Sequence, residues 1–97
     1  MSLVYSDWKD PTEIRRSTTP ISLWEEPQVM GVYETHIGNR FYLEFMSKNG
    51  TFQEKGQARK ELLICERKLT FWRRHPSWSQ KRAEQIEASK RAEWRTN

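Results

Sequence analysis

The sequence predicts an α+β domain: an N-terminal arm and a β-hairpin or small antiparallel sheet, followed by a C-terminal antiparallel helical hairpin. Three observations predict it. Residues 28–46 are rich in strand formers and centre on a Gly-Asn dipeptide. From residue 51 the apolar spacing changes from two to three and four. The charge changes with it: residues 1–50 carry five Lys/Arg against seven Asp/Glu (net −2), and residues 51–97 carry twelve against six (net +6). Ninety-seven residues suit a single domain. It divides into an arm (1–27), a hairpin (28–47) and helices over 57–75 and 77–95.

The arm holds three of the four prolines, Pro11, Pro20 and Pro27. Asp10-Pro11-Thr12-Glu13 joins a capping residue, a proline suited to the first helical position, and a glutamate three residues after the cap. One or two helical turns are expected through Arg16, stopped by Ser17-Thr18-Thr19 and Pro20. Ser22-Leu23-Trp24, between two prolines, reads as an extended edge strand or a docked arm anchored by Trp24.

In the hairpin, Val29, Val32, Tyr33, Thr35 and Ile37 are strand formers, and Gly38-Asn39 suits a tight turn. Phe41, Leu43 and Phe45 then alternate with Arg40, Tyr42 and Glu44. A two-residue loop pairs the three apolar residues with His36, Glu34 and Val32, and a three-residue loop pairs them with Ile37, Thr35 and Tyr33. The second register is favoured because it keeps Glu34 off the apolar face. Lys48-Asn49-Gly50 ends the strand.

Ala58, Leu62, Cys65, Leu69 and Trp72 follow at steps of 4, 3, 4 and 3, one stripe of a helix. Ile64 and Phe71, with Leu63 nearby, fall on its far side, so the helix is expected to lie between the sheet and another layer. Gly56 weakens the first turn, so firm helix is expected from Gln57. His75-Pro76 ends it. Ser77 and Gln80 have capping-box spacing for a second helix, rich in Lys, Arg, Ala, Glu and Gln. Its stripe is thin (Ala83, Ile86 and Trp94, with Trp78 at the entry), so it must dock, and antiparallel packing on the preceding helix is expected.

No apolar run approaches the roughly 18 residues of a membrane span, and Met1 to Trp8 lacks the pattern of a secretory signal. A single cysteine suits a reducing, cytoplasmic setting. Catalytic constellations are missing. Cys65 sits mid-helix among apolar residues, and His75 lies ten residues on, about 15 Å along a helix. One Cys and two scattered His match no zinc spacing. The glycines form no phosphate loop, and nothing pairs Glu25, Glu26 or Glu44 into a carboxylate site. No catalytic residue, metal or cofactor is assigned.

The residues that stand out are cationic. Lys60, Arg67 and Arg74 recur every seven positions on the outer face of the first long helix, interleaved with Ile64 and Phe71. Such a row rewards contact with phosphates through counterion release, and an aromatic ring beside it can stack on an unpaired base. The expectation is a small non-enzymatic accessory protein that contacts DNA or RNA, with Lys60, Arg67, Arg73, Arg74 and Lys81 on phosphates and Phe71 or Trp78 stacking. Against it, exposed Lys and Arg are ordinary on helices, and Arg73-Arg74-His75 also complement a helix C-terminus. The alternative is a module that binds a protein partner or a second copy of itself through Trp8, Trp24, Ile64 and Phe71.

Overall fold

A computed structural model describes residues 20–96. Trp8 and the helix expected from Asp10 to Arg16 lie outside the described residues. A short 3-10 turn, Ile21–Leu23, leads into three helices: α1 (Glu26–Asn49), α2 (Phe52–Arg73) and α3 (Gln80–Thr96). No strand occurs among the described residues, so the protein is all-α and the expected α+β class and β-hairpin are incorrect.

The segment read as a hairpin is the single helix α1. Its start is built locally. Pro27 sits in the first turn, and the Gln28 side-chain carbonyl accepts the Glu25 backbone N–H at 3.2 Å. Val29, Val32, Tyr33, His36, Ile37 and Leu43 are buried along one helical face, as 29, 32, 36 and 43 beside 29, 33 and 37, with Met30 widening it. Gly38 and Asn39 continue the helix instead of turning it. The alternation of Phe41, Leu43 and Phe45 does not mark a buried face, since Leu43 is buried while Phe45 is 46% exposed. An isolated two-stranded hairpin is marginal in water. As a helix the same residues are covered on two sides by two other helices.

In the arm, Ser22-Leu23-Trp24 forms no edge strand. It docks: Trp24 is 4% exposed and stacks on Trp72, with ring centroids 5.8 Å apart.

α2 begins at Phe52, five residues before the expected Gln57, because Thr51 caps it. The Thr51 hydroxyl accepts the Glu54 N–H at 3.2 Å, and the Glu54 carboxylate accepts the Thr51 N–H at 2.8 Å. It ends at Arg73, just before His75-Pro76. Ala58, Cys65, Leu69 and Trp72 are buried and Leu62 is half-buried, as the stripe implies. Among the described residues no second layer lies on the far side of α2, where Leu63 is 68% exposed.

The expected pairing of the last two helices is also incorrect. No Cα of α3 comes within 8 Å of a Cα of α2, and α3 packs on α1. It runs parallel to α1: Trp78 meets Tyr33, Glu87 meets Arg40 at 2.7 Å, and Trp94 meets Tyr42 and Phe45. Its cap is Ser79, whose Oγ accepts the Arg82 N–H at 3.2 Å, not Ser77. The antiparallel hairpin is α1–α2, closed at Gly50-Thr51. α1 is therefore the central helix, the one with two apolar sides. Arg40 on it reaches both neighbours, Glu87 of α3 and Glu66 of α2 at 3.9 Å. Burial opposes its charge, but the bond to Glu87 and the fields of Glu87, Glu44 and Glu66 hold the guanidinium more firmly protonated than usual.

Candidate nucleic-acid interface

The open side of α2 forms one wall of a groove of about 1150 Å³. Leu63, Arg67, Thr70, Phe71 and Arg74 recur at steps of three and four, or lie adjacent, so they face the same way, with Glu66 at their edge. His75 and Pro76 close one end. Ile21 and Ser22 of the arm form the opposite wall.

His75 holds that second wall in place. Its Nδ1 accepts the Ser77 N–H at 3.0 Å, which leaves the proton on Nε2 to be donated to the Ile21 carbonyl at 2.6 Å. The Ser77 hydroxyl donates to the Trp24 carbonyl at 2.7 Å, and the His75 ring stacks on Trp72. The arm is thus pinned to the end of α2 by these two polar contacts and by the stack of Trp24 on Trp72.

Among the described residues no carboxylate pairs with Lys60, Arg67 or Arg74, while Arg40, Arg82 and Lys90 all form ion pairs. Arg67 and Arg74 line the groove on either side of Phe71, whose ring is 38% exposed and meets Trp72 edge-on. Lys60 is exposed one step of seven before Arg67, beyond the groove lining. The one carboxylate in the lining, Glu66, leans on Arg40.

The other residues singled out in the sequence are placed elsewhere. Arg73 donates from Nε to the Tyr33 hydroxyl at 3.0 Å and lies over the Tyr33 ring, so it serves the α1–α2 contact. Trp78 is half-buried edge-on to Tyr33. Lys81 is exposed on α3, outside the groove. Trp24 is buried in the core at 4% exposure, whereas Ile64 is 46% exposed on α2. Sequence reasoning missed Thr70 and the groove role of Leu63, although both share the spacing of Arg67 and Arg74. It also missed the arm wall, which depends on a contact between positions 54 residues apart.

Cys65 is buried and its thiol donates to the His36 carbonyl at 3.4 Å. Burial pushes that thiol's pKa up, the opposite of what a nucleophile needs. Among the described residues no three His, Cys, Asp or Glu side chains gather as metal ligands, and no helix is long and apolar enough to cross a membrane. Comparison with protein-family models, curated proteins and solved structures finds no match for this chain.

Proposed function

We propose that this protein is a non-enzymatic nucleic-acid-binding accessory protein that meets phosphates through the open face of α2. One observation carries the reading: Arg67 and Arg74 flank an exposed aromatic ring in a groove, and no carboxylate of the described residues neutralises them. Lys60 extends the row, each step of seven residues rising about 10 Å along the helix. The net +6 of residues 51–97 adds a long-range attraction for a polyanion.

Binding of a mixed-sequence oligonucleotide, measured against salt, tests this. Each phosphate contact adds about 0.7–0.9 to the slope of log affinity on log salt, so Arg67→Ala with Arg74→Ala should reduce the slope by about 1.5. Unchanged binding and slope in the double variant would refute the assignment.

The adjacent exposure of Leu63 and Ile64 favours a second reading, a contact with protein or a second copy of the chain. That reading requires Ile64→Ser to change the mass seen by light scattering, with little dependence on salt.

A further inference from the structure

We infer that a second surface, where the last turns of α1 and α3 lie side by side, binds single-stranded nucleic acid. Bases stack on Tyr42 and Phe45, and Lys48, Arg91 and Arg95 hold the phosphates. This surface shares a ligand class with the reading above but no residue, and it stands at the end of α1 away from the arm. Trp94 of α3 brings the rings together. Its centroid lies 5.4 Å from that of Phe45 and 6.5 Å from that of Tyr42, with the planes tilted by 40° and 53°. Trp94 is half-buried and supports the other two, which remain 48% (Tyr42) and 46% (Phe45) exposed.

The charges around this platform complement an anion. Lys48 follows Phe45 by three residues, Arg91 precedes Trp94 by three, and Arg95 follows Arg91 by four, so cations neighbour the rings on both helices. All three are exposed, and among the described residues no carboxylate pairs with them. The nearby acids are engaged elsewhere: Glu44 leans on Arg40 at 3.8 Å, and Glu93 on Lys90 at 3.5 Å. A duplex hides its base faces and would meet only the cations here. An unpaired strand presents flat apolar faces to the rings and its backbone charge to Lys48, Arg91 and Arg95. Rings half covered by one another and by the helices form a shallow platform, which suits a base laid upon it better than insertion among lipid tails.

The test is fluorescence anisotropy of the full chain with a short labelled oligo(dT), alone and annealed to oligo(dA), beside co-sedimentation with phosphatidylserine–phosphatidylcholine vesicles. Tyr42→Leu with Phe45→Leu keeps apolar bulk on an exposed face and removes the aromatic planes. It should weaken the single strand about tenfold and leave the duplex unchanged. Arg91→Ala with Arg95→Ala alters only exposed side chains and should lower the slope of log affinity on log salt by about 1.4 for the single strand. Circular dichroism melting checks that each variant is folded. If both pairs bind like the parent while Arg67→Ala with Arg74→Ala weakens binding, this inference is overturned and the α2 reading stands. The reverse pattern supports this surface and removes the α2 assignment. Vesicle binding that depends on Tyr42 and Phe45, with oligonucleotide binding unaltered, assigns the surface to lipid and overturns the inference. A parent protein that binds neither form of the oligonucleotide overturns both.

Discussion

Cys65 shows how one buried group ties stability to pH. Its thiol is enclosed between α2 and α1, and burial first, then the charge of Glu66, raises its pKa above the ordinary value. The native state therefore keeps a proton that the unfolded chain releases. That contribution is fully present below the unfolded thiol pKa, about 8.5, and is lost as pH rises through the higher folded value. Urea midpoints measured in steps above about pH 8.5 should fall less steeply for Cys65→Ala than for the parent protein. Parallel slopes would show that the thiol is not the group being titrated. At this scale the sequence was informative: Cys65, Leu69 and Trp72 are in the core because their spacing puts them there. Arg73 was not legible, because its tie to Tyr33 joins positions 40 residues apart that no local pattern connects.

Among the elements, the glycines separate helix from hairpin. Gly31 and Gly56 lie inside α1 and α2, and a Cβ at either meets nothing within 4 Å. Alanine at either site should stabilise the protein by about 0.5–1 kcal/mol, since a helix interior disfavours glycine. Gly50 is the opposite case. Its N–H bonds the Met46 carbonyl at 3.0 Å, and a Cβ would come within 2.8 Å of that oxygen and 2.9 Å of the Glu54 Cβ. Glu54 is committed to capping Thr51 and cannot retreat freely, so Gly50→Ala should cost about 1–3 kcal/mol. Thermal melts of the three variants check both signs, and a stabilised Gly50→Ala would contradict the geometry of the α1–α2 turn. Both helices of the C-terminal half were legible from periodicity. α1 was not, because Val29, Val32, Tyr33 and Ile37 favour strands locally and Gly38-Asn39 imitates a turn. Tertiary burial on two sides overrode those propensities. The usable signal was at the start, where Pro27 and Gln28 follow Glu25 with the same cap-and-proline logic read at Asp10-Pro11. Of the candidate site, the cationic spacing on α2 could be read directly. The groove could not, because its second wall depends on where the arm folds back.

For the molecule as a whole, the decisive feature is that α1 touches both neighbours while α2 and α3 stay apart. Leu69→Ala on α2 and Ile86→Ala on α3 each remove a buried side chain, at about 2–5 kcal/mol apiece for a fully enclosed residue. With no Cα of one flank within 8 Å of a Cα of the other, the double variant should lose the sum of the single losses to within about 0.5 kcal/mol. Glu66→Gln and Glu87→Gln should behave otherwise, because both carboxylates draw on the one guanidinium of Arg40. A double-mutant cycle by chemical denaturation distinguishes these outcomes, and strong coupling between Leu69 and Ile86 would count against the separation. Each flank of the protein can then be altered almost as if the other were absent. Substitutions that retune the α2 surface for a new ligand need no compensating change on the opposite side, provided Arg40 keeps its grip on both.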